Sequence, residues 1–185
     1  MGEKAMEPAG YGRTARLFHW ITVLQLLGMF PAGAIMVQEG LSRPLQNTLF
    51  IFHKNVGTVL LLLVLLRLAW RAISPPPPPP AGMPGWQERL SRLVHRGLYA
   101  MLIFMAVTGY VRVGMGGFPL ELADWLGVPR LPRSEAVANA ASTAHFWGRF
   151  VLLALIALHV AGALQHALIR RDGLMARMWP PLGRG

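Results

Sequence analysis

Residues 144–169 read AHFWGRFVLLALIALHVAGALQHALI, and Arg149 is the only Lys, Arg, Asp or Glu among them. A helix rises 1.5 Å per residue and a bilayer core is about 30 Å thick, so about 20 apolar residues suffice to cross it. Three more blocks of this character precede it, at 17–37, 49–70 and 93–113. In lipid every backbone N–H and C=O must be satisfied within the protein, which leaves helices or closed barrels. The blocks lack the apolar–polar alternation of barrel strands, so they are expected to be helices. The predicted fold is all-α: an integral membrane four-helix bundle, with residues 1–185 forming one transmembrane domain.

The composition agrees with lipid as solvent. Of 185 residues, 54% are hydrophobic and 14% charged, where a soluble domain carries about a quarter charged. The formal net charge of +10 does not indicate nucleic acid, because the arginines sit at the ends of apolar blocks and form no stripe with interleaved aromatics. The absence of cysteine excludes disulfides, iron–sulfur clusters and covalent c-type haem attachment. A basic leader and Ala32-Gly33-Ala34 imitate a cleavable signal peptide. A histidine and a tryptophan open the first block, however, and a disposable segment has no use for them, so it is expected to be a retained helix.

The loop at 74–84 contains six consecutive prolines, Pro75 to Pro80, which cannot be helical and are expected to form a stiff extended spacer. The connection at 114–143 carries Leu120, Leu122, Trp125 and Leu126 beside Glu121 and Asp124, a pattern that suits a short helix on the membrane surface. Orientation follows from cationic residues. Lys4, Arg13, Arg16, Arg67, Arg71, Arg89, Arg92, Arg96, Arg170, Arg171, Arg177 and Arg184 fall on one side, and Arg43, Lys54, Arg112, Arg130, Arg133 and Arg149 on the other. The positive-inside rule then puts both termini in the cytoplasm and the 114–143 connection in the periplasm.

Ionisable residues in a membrane are costly and usually functional, which directs attention to His19, His53, His95, His145, His159 and His166. His145 and His159 are fourteen residues apart, within about 40° of one helix face and about 21 Å apart in depth. One metal ion cannot span that distance, but two stacked haems can. In the predicted orientation, His53 opens the second helix at the periplasmic end and can face His145. His19 opens the first helix at the cytoplasmic end and can face His159. Zinc competes for histidine, but facing imidazoles without carboxylate or thiolate nearby suit axial haem ligation better.

Several stretches resemble the bacterial cytochrome b561 family. The first helix carries Arg16-Leu17-Phe18-His19-Trp20, and the second His53-Lys54-Asn55-Val56-Gly57 and Arg67-Leu68-Ala69-Trp70-Arg71. The third opens with Arg92-Leu93-Val94-His95-Arg96-Gly97-Leu98-Tyr99. The fourth offers Ala144-His145-Phe146 and Leu158-His159-Val160, followed by Arg171-Asp172-Gly173-Leu174-Met175-Ala176-Arg177-Met178. The resemblance implies two non-covalent b haems, with His19, His53, His145 and His159 as axial ligands. It also implies a bacterial inner-membrane location, ubiquinone as a redox partner, and a periplasmic donor, which is superoxide in some relatives. The alternative is a haem-bearing anchor subunit of a larger dehydrogenase or hydrogenase.

Haem propionates in a low-dielectric region need cations. The candidates are Lys54 and Arg149 at the periplasmic end and Arg16 and Arg96 at the cytoplasmic end, with snorkelling to lipid headgroups as the alternative for all four. Lys54 and Arg149 would also draw an anionic donor to the outer haem. Gly57, one turn beyond His53, either admits a porphyrin edge or allows close helix packing. His95 and Arg96 form a candidate quinone site, and His166 is expected at the inner headgroups as a surface group or propionate contact.

Overall fold

A computed structural model describes residues 10–80 and 82–179. Lys4 and Arg184, counted above for orientation, lie outside the described residues, as does Ala81 in the proline loop. Five α-helices follow one another: α1 (Arg13–Ile35), α2 (Arg43–Ile73), α3 (Gly85–Met115), the short α4 (Glu121–Trp125) and α5 (Glu135–Leu164). A π-helical turn, Gln165–Arg170, extends α5, and a single 3-10 turn, Met175–Arg177, follows. Four helices, α1, α2, α3 and α5 with its extension, are long and apolar enough to cross a membrane. No strand occurs among the described residues.

Every spanning helix begins before its apolar block. Hydropathy detects the lipid-facing length, whereas hydrogen bonding carries a helix on into the interface wherever propensity permits. Residues 135–143, read above as loop, are helical because EAVANAAST contains four alanines, the best helix former. His145 therefore lies well inside α5 and does not open it. Pro44 sits in the first turn of α2, where its missing N–H costs nothing. The proline run ends α2: Ser74, just before Pro75, leaves the helical region at φ −122°, ψ 88°, as residues preceding proline do.

Two antiparallel hairpins make the bundle. The α3–α5 interface is the most extensive, α1 lies along α2, α2 meets α3 over a smaller area, and α4 rests on α2. Neither α1 nor α2 packs closely along α5, so side chains facing each other there bridge a wider gap. Leu24, Leu27, Leu66, Leu168 and Ile169 are exposed, as expected of a surface solvated by hydrocarbon. The core is small: Leu60 and Val64 of α2, Leu102 of α3 and Leu152 of α5, with Met29, Tyr99, Met105 and Ile156 packed around them.

The surface helix between α3 and α5 is one turn long. Lys54 fixes it to α2, its ammonium donating to the Pro119 carbonyl (2.7 Å) and to Glu121 Oε1 (2.8 Å). Asn55 Oδ1 accepts the Leu122 N–H at 3.1 Å. Ala123 is buried by this docking, while Trp125 stays exposed.

Candidate functional site

Because α1 and α2 run antiparallel beside α5, histidines near opposite ends of the first two helices reach α5 at two levels. The ring centres of His53 and His145 are 6.2 Å apart with planes at 79°. Those of His19 and His159 are 6.1 Å apart with planes at 53°. Two imidazoles on opposite sides of one metal, with metal–nitrogen about 2.0 Å and nitrogen to ring centre about 1.1 Å, stand about 6.2 Å apart. Both pairs therefore have metal-sharing separation, and each joins helices whose backbones stay apart.

Hydrogen bonds show which ring nitrogen is left free at one level. His53 Nδ1 lies 3.2 Å from the Met29 carbonyl, and His145 Nδ1 lies 3.0 Å from the Met105 carbonyl and 3.1 Å from Thr108 Oγ1. Thr108 gives its own proton to the Phe104 carbonyl at 2.8 Å. Carbonyls only accept, so in both rings Nδ1 carries the proton and Nε2 keeps its lone pair. This is the second-sphere arrangement typical of metal-bound histidine. At the other level, His19 Nδ1 is buried with no hydrogen-bond partner, an orphaned polar atom in an apolar bundle. Among the described residues no group of three or more His, Cys, Asp or Glu side chains is arranged to hold a metal ion. Axial haem ligation takes only two protein ligands.

His95 joins the lower level. Its ring centre is 5.1 Å from that of His159, with planes at 85°, too near to share a metal across opposite faces. Its Nδ1 donates to the Ser91 carbonyl at 2.7 Å. Arg67, which sequence reading left unassigned, reaches the same place: Nη1 donates to Thr22 Oγ1 at 3.0 Å, and the guanidinium lies 5.5 Å from the Tyr99 ring centre. Its charge acts on His19, His95 and His159. At the upper level Arg112 acts on both His53 and His145. Its position, one turn beyond Gly109 on α3, carries no sequence signal until that face of α3 is known to meet α5.

The predicted accessory residues are placed unevenly. Arg149 is close enough to act on His145, but its guanidinium stacks 4.0 Å from the Phe146 ring centre and 4.7 Å from that of Phe150. Lys54 is engaged by Glu121 and Pro119, so its ammonium holds α4 and is not presented to a ligand. Arg16 is buried on α1, one turn before His19, and Arg96 is exposed. Gly57 faces Met29, whose Cε lies 3.4 Å from where a Cβ would be. The glycines that face histidine rings are Gly33, which the sequence offered only as part of a signal-peptide-like Ala32-Gly33-Ala34, and Gly109.

His166, expected at the surface, is buried at 6% exposure, and its Nδ1 lies 2.5 Å from Asp172 Oδ2. The π-helical turn and the left-handed conformation of Arg171 (φ 52°) bring the chain back to make this contact. Burial works against the charged form of Asp172, but hydrogen bonds from His166 and the Leu174 N–H outweigh it and hold the carboxyl below its ordinary pKa. Arg177, also buried, donates to the Pro78 carbonyl at 2.6 Å, and Trp20 Nε1 donates to the Met178 carbonyl at 2.9 Å. Residues 171–178 thus tie the end of α5 to the proline loop and to the start of α1.

Compared with protein families, residues 10–181 match prokaryotic cytochrome b561. The chain is 31% identical over 172 residues to cytochrome b561 homolog 2 of Escherichia coli (strain K12), covering 92% of each protein. It is 27% identical over 183 residues to cytochrome b561 homolog 1 of the same organism, covering 92% of this chain and 97% of the relative. A match that takes in all four spans and both histidine levels establishes that the chain belongs to the prokaryotic cytochrome b561 family, multi-pass bacterial membrane proteins that transfer electrons through haem b.

Proposed function

We propose that this chain binds two b haems, one between His53 and His145 and one between His19 and His159, and passes electrons across the bacterial inner membrane. The observation that carries this reading is the pair of ring separations, 6.2 and 6.1 Å, each suited to one iron held from both sides. Bound there, haem would supply one-electron chemistry, and with two imidazoles of the chain holding it each level would suit outer-sphere electron transfer rather than oxygen binding. The fourteen residues from His145 to His159 set the levels about 21 Å apart along α5. With both termini cytoplasmic, the His53/His145 level faces the periplasm.

The cations around each level fit the two ends for different partners. Arg112 acts on both upper histidines and Arg149 on His145, which gives that end a positive field, suited to an anionic donor such as superoxide. Lys54, committed to α4, is not part of that field. At the lower level Arg67 and Arg71, close enough to act on His95, bring N–H donors and positive charge for a quinone carbonyl, while His95, its Nδ1 proton given to Ser91, keeps Nε2 as an acceptor for the hydroxyl of the reduced form, so ubiquinone is the proposed acceptor. Arg96, exposed one residue further along, completes the approach.

Detergent-extracted chain should show a reduced b-type spectrum with two haems per polypeptide by pyridine haemochrome. It should also be reduced by superoxide, and reoxidised by ubiquinone, with no other subunit present. A colourless protein would sink the haem assignment. A haem-loaded protein that accepts electrons only from a separate soluble subunit would make it a relay anchor instead.

A further inference from the structure

Different helices seat the two upper histidines in the same way. On α1, the Met29 carbonyl accepts from His53 Nδ1, and Gly33, one turn on, lies against the ring: a Cβ there would stand 2.9 Å from His53 Cε1 and 3.2 Å from Nδ1. On α3, the Met105 carbonyl accepts from His145 Nδ1, and Gly109, one turn on, has the same relation, with 3.2 Å to Cε1 and 3.5 Å to Nδ1. Each helix presents a carbonyl at position i and a glycine at i+4.

The physical reason lies in helix geometry. A helical side chain leans toward the N-terminus and covers the turn before its own Cα. The residue at i+4 therefore normally shields the carbonyl of residue i from any lateral donor. That carbonyl already accepts the i+4 N–H along the helix, but its second lone pair remains available. A glycine at i+4 uncovers it and lets a flat ring approach. The lower level lacks this device at His19, whose Nδ1 has no hydrogen-bond partner.

We infer that Gly33 and Gly109 are positioning residues that uncover the Met29 and Met105 carbonyls, and so fix the tautomer and ring orientation of His53 and His145 as axial ligands. This rests on the haem assignment proposed above. A hydrogen bond from Nδ1–H makes the imidazole a more basic ligand, which favours ferric over ferrous iron. A methyl group at position 33 would push the ring off its acceptor. The haem at this level would become easier to reduce, while the one at His19/His159 would keep its potential. Gly33 has less clearance than Gly109, so its substitution is expected to have the larger effect.

The test is a redox titration of the purified haem-loaded protein with Gly33→Ala, Gly109→Ala and Gly97→Ala, using His145→Ala to identify which midpoint belongs to which haem. Gly97 packs at 3.2 Å against Leu155 and against no ring, so it reports on helix packing alone. Gly33→Ala should raise one midpoint by about 59 mV or more, a tenfold change for a one-electron couple, or release that haem selectively. Gly109→Ala should do the same to a smaller extent, and Gly97→Ala should leave the His53/His145 midpoint in place. Both midpoints unmoved in Gly33→Ala, both moving together, or an equal shift in Gly97→Ala would each overturn the inference. If Gly33→Ala does not fold, Gly109→Ala is judged by the same criteria. Wild-type protein without haem would refute the proposed function itself; two haems with unmoved potentials would refute only the glycine seats.

Discussion

Replacing Lys54 with methionine should free α4 while leaving the membrane helices in place. The substitution keeps most of the apolar stem and removes the ammonium, with its bonds to Pro119 (2.7 Å) and Glu121 (2.8 Å). Hydrogen bonds to charged groups contribute about 1.5–3 kcal/mol each. The Lys54 side chain is 13% exposed and that of Glu121 37%, so solvent screens part of the interaction. A net loss of about 2 kcal/mol is therefore expected, with Glu121 Oε2 already lacking a partner. A five-residue helix cannot persist on its own propensity, so the loss should appear as local opening. At 1.4 kcal/mol per decade, about 2 kcal/mol corresponds to about 30-fold faster hydrogen exchange. The amides to follow are Asp124, bonded to the Leu120 carbonyl, Leu126, bonded to the Leu122 carbonyl, and Leu122, bonded to Asn55 Oδ1. Unchanged exchange at these three amides would refute the latch. A slower reaction with an anionic donor in the same variant, with exchange unaltered, would restore Lys54 to the steering role read from the sequence.

His53→Ala or His145→Ala should each remove one haem, and His19→Ala or His159→Ala the other, read as halved haemochrome content with distinct spectral losses. Paired loss across levels would break the assignment. Arg112→Gln with Arg149→Gln should lower the rate with superoxide and flatten its dependence on ionic strength, because steering by charge is screened by salt; rates unaffected by salt in the parent protein would contradict this. Asp172→Asn should loosen residues 171–178, detectable as faster proteolysis of the tail. In the parent protein, Asp172 has a depressed folded-state pKa, so its contribution is present above the unfolded pKa and lost as pH falls through the folded one. The tail should therefore stay docked at neutral pH and loosen only below the ordinary carboxylate range, as followed by Trp179 fluorescence.

The sequence determined what one helix can say about itself. Apolar length located four spans, and the 1.5 Å rise put His145 and His159 at two levels on one face of α5. Depth alone then matched them with His53 and His19. These properties are local and periodic, so they survive without knowledge of neighbours. How each helix is rotated against its neighbours, and where the backbone turns after it, came from packing between helices. That rotation put Gly57 against Met29, while Gly33 and Gly109 met the rings. It engaged Lys54 with Glu121 across 67 residues of sequence, and a π-helical turn folded Asp172 back onto a buried His166. In lipid the apolar pattern covers nearly the whole helix surface, so hydrophobicity marks no inward face. Packing of small residues and backbone acceptors selects it instead, and those contacts exist only once the helices are together.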